Sequence, residues 1–302
     1  MFGSHLSIAG GLHNALIEAQ SLGMECVQVF TKNQRQWKTT PLRDDQINEW
    51  QAQRKATGID EIVSHDSYLI NLASSSEELW HKSIASFRDE LLRCEALGIP
   101  RLVTHPGAHL GAGEEVGLKR VAAALDLLHA DLPGLRVVTC LEITAGQGTS
   151  LGYRLEHLRR IIDLVKQPER LATCLDTAHL LAAGYDLTSA AGCRATLEEV
   201  ELVLGKGMVR CWHLNDSKVP RGKRVDRHDH IGLGHVALDA FREIVNHSDY
   251  KRIPKILETP KLTAPDGRPW DVINFEVLRA LIFKEETGQR KKDLTRRKSA
   301  AK

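Results

Sequence analysis

The chain has 302 residues, 42% of them hydrophobic and 26% charged, with a formal net charge of +2. That apolar share excludes a chain disordered throughout, and no apolar run approaches the ~20 residues of a membrane-spanning helix. The charge is uneven: from Lys284 onward eight Lys/Arg against three acids leave +5 on the end of the chain and −3 on the body. A basic end of this kind fits a polyanion partner or a solubilising, disordered tail equally well. None of the six cysteines forms a C-x-x-C pair, and four of them (Cys26, Cys140, Cys174 and Cys211) sit in apolar, strand-like runs. There cysteine behaves as a small hydrophobe, which points to a reducing compartment. The first residues lack the charged and apolar regions of a signal peptide, so a cytoplasmic setting is expected.

Taken in order, the sequence alternates strand and helix. Phe2–Ile8 reads as a strand, and Gly10-Gly11 turns into a helix with Leu12, Ala15, Leu16, Ala19 and Leu22 at the 3.6-residue period. Further strands are expected at Glu25–Phe30, Glu61–His65, Arg101–His105, Arg136–Glu142, Leu171–Asp176, Val209–Leu214 and Ile253–Glu258. Helices are expected at about Asp44–Lys55, from Ser76 to Gly98, and at Glu114–His129, Leu155–Val165, Ser189–Leu204, Ala237–Asn246 and Asp271–Glu285. Eight strands and eight helices in alternation imply a parallel sheet with right-handed crossovers. Eight units before residue 286, with no linker and no G-x-G-x-x-G opening a helix, favour a closed α/β barrel of the (β/α)8 type over a dinucleotide-binding sheet. The expected organisation is one barrel domain over residues 1–285 and a basic, disordered tail over 286–302.

The chemistry collects at the strand ends. His65, His105, Glu142, Asp176, His213 and Glu258 each stand at or near the end of one of six successive strands. In a barrel those ends converge on one face. One such residue is ordinarily a satisfied polar group or a helix cap, but imidazoles cap poorly, and crowded carboxylates raise one another's pKa unless cations intervene. His179 follows Asp176 as D-x-x-H, and Asp226 and His228 form a D-x-H pair on the Gly- and Pro-punctuated loop within residues 209–235. Five imidazoles and four carboxylates exceed the roughly four ligands of a single ion, so two or three metals are expected. Mixed imidazole and carboxylate ligation without thiolate fits Zn²⁺ best, with Mn²⁺ or Fe²⁺ as alternatives. Around this mouth Lys32, Arg35, Arg221, Lys223, Arg224 and Arg227 are expected to form a basic ring. With Tyr68 and Leu69 as wedges, that ring suits a nucleic-acid backbone, although it also fits loops that merely balance an acidic pocket.

These residues lie in a set of longer motifs: FTKNQRQW at 30–37, HDSYLINL at 65–72, HPGAHL at 105–110, TAGQG at 144–148, CLDTAH at 174–179, AAGYDL at 182–187, HLNDSK at 213–218 and VDRH at 225–228. Through them the chain resembles the endonuclease IV family of apurinic/apyrimidinic endonucleases over about residues 1–283. The resemblance implies a trinuclear zinc site. His65, His105 and Glu142 would hold the first ion. Glu142, as a bridge, would hold the second with Asp176, His213 and Glu258, and His179, Asp226 and His228 would hold the third. It also implies that Arg35, Tyr68 and Leu69 read DNA. Glu142 and Glu258 would act catalytically through a metal-activated hydroxide that cuts the phosphodiester 5′ to an abasic site in double-stranded DNA. A 3′-hydroxyl and a 5′-deoxyribose phosphate would remain, and removal of 3′-blocking groups is a further expected activity. No organic cofactor is expected, and the protein is expected to be a monomer that meets the nucleoid through its substrate. Ile143, Ala178, Lys223 and Leu233 depart from the family pattern, and none of them is a proposed ligand.

Overall fold

The computed structural model describes residues 1–38 and 40–283. Apolar, β-branched-rich runs form eight parallel barrel strands: β1 (Phe2–Leu6), β2 (Cys26–Phe30), β3 (Glu61–His65), β4 (Arg101–Thr104), β5 (Val138–Glu142), β6 (Leu171–Asp176), β7 (Val209–His213) and, after a two-stranded hairpin of β8 (Asp216–Ser217) and β9 (His228–Asp229), β10 (Lys255–Leu257). Each pairs with its neighbour in parallel register, and β1 closes the cylinder against β10. The expected (β/α)8 barrel is the fold observed. Closure draws β1 and β2 so near that a Cβ on Gly3 would lie 1.9 Å from the Cys26 carbonyl oxygen, so only glycine fits there.

Helices cover the outside. They are α1 (Asn14–Ser21), α2 (Asp44–Thr57), α3 (Glu77–Leu97), α4 (Glu114–Asp131), α5 (Leu155–Leu164), α6 (Thr177–Ala183), α7 (Ala190–Leu204), α8 (Leu238–Asn246) and α9 (Trp270–Ala280). Ser76 caps α3 by accepting from the Leu79 amide, as its position before the apolar stripe predicts. Strict alternation fails at two places. After β6 the chain enters the short α6 before α7, because the Asp176 side chain accepts from the His179 amide and starts a helical turn at once. The loop after β7 folds into the β8–β9 hairpin, whose strands of two residues are too short to leave a periodic signal. Several expected strands are trimmed at their ends, so that His105 and Glu258 stand just beyond β4 and β10. The expected basic tail, 286–302, lies outside the described residues.

Side-chain alternation builds two layers on the strands. Val27, Val29, Ile62, Leu102, Leu141 and Leu175 point outward into the core shared with the helices. Cys26, Val63, Val103, Cys140, Cys174, Cys211 and Ile256 fill the barrel interior. Moving two residues toward the C-terminus on those strands reaches Gln28, His65, His105, Glu142, Asp176, His213 and Glu258. The pleat thus seats a polar layer directly on an apolar one.

Candidate metal and nucleic-acid site

Glu142 is the centre of the polar layer and is fully buried. Its Oε2 lies 3.1 Å from His65 Nε2 and 3.3 Å from His105 Nε2. Its Oε1 lies 3.1 Å from His213 Nδ1 and 3.2 Å from His179 Nδ1. His213 Nδ1 also stands 3.2 Å from Glu258 Oε2 and 3.9 Å from Asp176 Oδ2. On the hairpin side, Asp226 reaches His179 Nε2 at 3.2 Å and His228 Nε2 at 3.3 Å, and Asp176 Oδ2 is 3.6 Å from the latter. All nine sequence-derived candidates therefore meet at one mouth.

Eight of them fall into three groups whose ligand atoms lie within 4.8 Å of one another: His65–His105–Glu142, Glu142–Asp176–His213–Glu258, and Asp176–His179–His228. The first two repeat the expected partition with Glu142 shared. The third differs, since Asp176 joins His179 and His228 there and Asp226 approaches the pair from the loop. One step down the barrel Cys174 and Cys211 also come near His213, within the apolar layer.

The rings are oriented from behind. His65 Nδ1 donates to the Asp66 carbonyl at 2.9 Å, His179 Nδ1 to the Ile143 carbonyl at 2.9 Å and His228 Nδ1 to the Glu258 carbonyl at 3.2 Å. Each bond leaves Nε2 facing the mouth. As a result His179 Nε2 and His228 Nε2 face each other at 3.4 Å. In neutral rings two lone pairs would oppose there, and only a proton or a cation resolves the contact. Without a cation, protons take that part. Burial alone would lower the pKa of His65, but Glu142 outweighs it and carries it up to about 9. His179 and His213 are likewise carried well above the ordinary value against burial, by Asp176 and by Glu258 in turn. Burial would raise Glu142 and Glu258, yet His213 draws both well below the usual carboxylate range. Five imidazoles and four carboxylates, with back-bonded rings presenting nitrogen inward, match the donor chemistry of Zn²⁺.

Three polar residues in the supporting layer had no place in the sequence-based list. Gln28 bonds both Glu258 and His213, His5 Nδ1 lies 3.2 Å from Glu258, and the Asn215 amide donates to Asp176 at 2.6 Å. For Gln28 a signal existed, because it is the lone amide in the apolar run Cys26–Phe30. The Ile143 departure is explained: its side chain is core, and the group that serves His179 is its main-chain oxygen. Ala178 is buried on α6. Asp216 closes the stem of the ligand loop, accepting from the amides of Ser217, Gly232, Gly234 and Val236. Lys223 and Leu233 are exposed on that loop and its stem.

At the rim Arg35 is exposed, Tyr68 is 70% exposed and Leu69 is half-buried. The Tyr68 ring stands 5.8 Å from Phe30 and 6.1 Å from His65, beside a hollow of about 210 Å³ that runs down to His65 and His105. Ser67 ties the two loops together by donating to the Gln34 carbonyl at 2.6 Å. Lys32 is not part of the rim. It is buried, 3.0 Å from Asp89 and 3.5 Å from Glu90, with Ser86 as a further acceptor, so it anchors the loop from below. Arg224 stacks on Tyr153 at 4.4 Å, and Arg221 pairs with Asp186 at 3.2 Å. Among the described residues no helix is long and apolar enough to cross a membrane.

Residues 16–280 match the family profile described as a xylose isomerase-like TIM barrel. A probable endonuclease 4 from Chloroflexus aurantiacus is 47% identical over 281 residues, covering 93% of this chain and 98% of the relative. The crystal structure of endonuclease IV from Thermus thermophilus superposes with a TM-score of 0.80 at 35% identity, over 93% of this chain and 98% of that one. A D-tagatose 3-epimerase-like protein shares the barrel at 18% identity with a TM-score of 0.68, a likeness of fold alone.

Proposed function

This chain belongs to the endonuclease IV family on the xylose isomerase-like barrel, and from that premise we propose that it is a DNA-repair nuclease that hydrolyses the phosphodiester 5′ to an abasic site. The products are a 3′-hydroxyl and a 5′-deoxyribose phosphate, and blocked 3′ ends form a second substrate class for the same bond chemistry. The observation that carries the reading is the unbroken chain of donors in which Glu142 belongs to two groups and Asp176 to two.

In this reading His65, His105 and Glu142 hold one Zn²⁺, Glu142, Asp176, His213 and Glu258 a second, and His179, His228 and Asp226 a third. Zinc there supplies a hydroxide nucleophile at neutral pH and positive charge against the oxygens of the phosphate. The protein's own part is placement. The main-chain carbonyls of Asp66, Ile143 and Glu258 fix which nitrogen of three rings faces inward. Glu142, buried and ionised, holds two groups at one spacing. Arg35, Tyr68 and Leu69 stand where a duplex would meet the mouth, suited to a phosphate and to the gap left by a missing base. Opening a duplex requires least where a base is already gone, which supports the abasic lesion as the preferred site.

The third group separates this reading from sugar isomerisation on the same barrel, because a hydride or proton shift between neighbouring carbons has little use for an additional cation. The test is to incubate the zinc-loaded protein with a duplex carrying one abasic site and to resolve both product ends. Cleavage on the 5′ side that leaves a 3′-hydroxyl and stops on zinc removal is the expected result. Intact duplex together with ketose interconversion would overturn it.

A further inference from the structure

The middle of β2 is apolar except for Gln28, and that side chain is fully buried at the floor of the mouth. Its amide spans two of the donors. Nε2 donates to Glu258 Oε1 at 2.6 Å, and Oε1 lies 2.8 Å from Nε2 of His213. Elementary donor and acceptor chemistry decides both ends. An ionised carboxylate only accepts, so the NH2 group must face Glu258 and the oxygen is left for the histidine. An amide oxygen also only accepts, so Nε2 of His213 must carry a hydrogen. In the neutral ring that a metal requires, the other nitrogen, Nδ1, is then the one that presents a lone pair, and it is the one that faces Glu142, Glu258 and Asp176.

His213 is therefore inverted relative to His65, His179 and His228, which present Nε2 and are held at Nδ1 by main-chain carbonyls. Among the described residues no backbone carbonyl holds the far side of His213, and the side chain of Gln28 does that work. His5 Nδ1 lies 3.0 Å from the same amide nitrogen and 3.2 Å from Glu258 Oε1, so it packs against both members of this pair.

We propose that Gln28 is a positioning residue that sets the tautomer of His213 and the rotation of Glu258, and through them the zinc affinity of the Glu142–Asp176–His213–Glu258 group. This rests on the metal reading given above. An apolar residue of equal length would fill the space but leave a buried imidazole N–H without an acceptor and only His5 behind Glu258 Oε1.

Two measurements test it. In zinc-loaded wild-type protein labelled with 15N-histidine, long-range proton–nitrogen spectra, with His213→Asn for assignment, should show His213 as the Nε2–H tautomer bound through Nδ1. Binding through Nε2 would overturn the proposal without recourse to any Gln28 variant. Zinc titration of metal-stripped protein against a chromophoric chelator should then show that Gln28→Met weakens one class of site by ~10–100-fold, the range for loss of an outer partner, and leaves the other classes unchanged. A merely structural role would lower the unfolding temperature of the metal-stripped variant and move every class or none. Wild-type affinity at all classes in Gln28→Met overturns this proposal alone, whereas a wild type that takes up no zinc overturns the metal reading and this one with it.

Discussion

Two layers two residues apart on the same strands obey opposite rules. The lower one, Val63, Val103, Cys140, Cys174, Cys211 and Ile256, is packed from aliphatic and thiol side chains. The upper one replaces each with His, Asp or Glu, some equally buried. The backbone of the two is the same, so the difference is one of compensation: the lower layer is stable by contact alone, and the upper layer requires every charge to be answered by another. A fault below should therefore appear as lost folding stability, and a fault above as lost metal and chemistry in a barrel that remains folded.

The comparison is most sharply tested at Glu142. Glu142→Gln keeps size and shape but removes the charge answering four imidazoles, and single-turnover cleavage of abasic duplex should fall by about 10³-fold, the upper range for loss of one electrostatic group. Its circular dichroism should stay that of the wild type. In the lower layer, Ile256→Ala should destabilise by ~2–5 kcal/mol in urea unfolding, as for other buried large-to-small changes, with zinc content unchanged. Zinc lost in proportion to the hydroxide-generating activity in Ile256→Ala would mean that the layers are not separable.

Smaller effects follow at the edges of the upper layer. His228→Ala should lose about one zinc per chain and lower cleavage by ~10–100-fold, because the other two groups keep their donors. Tyr68→Ala should weaken binding of abasic duplex by about tenfold, the low end for an aromatic contact with a base, while metal analysis gives the wild-type content. The least is a dependence on pH. His65 in the metal-stripped protein has a pKa raised to about 9, so the folded state binds more protons than the unfolded one between the two values. Its stabilisation is complete below about 6.5, the unfolded value, and is lost as pH rises through 9. Thermal unfolding of the stripped protein should thus move to lower temperature across that window, and a rise there would contradict the imidazolium–carboxylate pairing.

The upper layer was legible because the pleat is strictly periodic: a His, Asp or Glu at the end of a buried strand, repeated in six units, needs no knowledge of tertiary contacts. What escaped depends on partners distant in sequence. Lys32 looked like a rim cation, and only the fold brings Asp89 and Glu90 of α3 around it. Gln28 was visible as an anomaly in β2, but its partners lie 185 and 230 residues away. The carbonyls that orient His65, His179 and His228 are main-chain atoms and carry no signature in any side chain. That Asp176 stands beside the third group as well, in addition to Asp226, depends on how the loop returns over β6, which residue spacing does not encode.

The Asp216 clamp has a bearing on how this protein can change. One carboxylate gathers four amides at the base of the loop that carries Asp226 and His228, and the Lys218 amide donates to the Arg227 carbonyl across the stem at 2.9 Å. The tip has an anchor of its own, the amides of Gly222 and Arg224 donating at 2.9 Å to the carbonyls of Leu181 and Ala182 on α6. Between stem and anchor Pro220 and Lys223 are exposed, and changes of side chain there alter what approaches the mouth while the main-chain bonds hold the loop in place. There substrate preference can drift while the chemistry stays fixed, and variation at Pro220 and Lys223 with Gly222 kept is the trace such drift would leave.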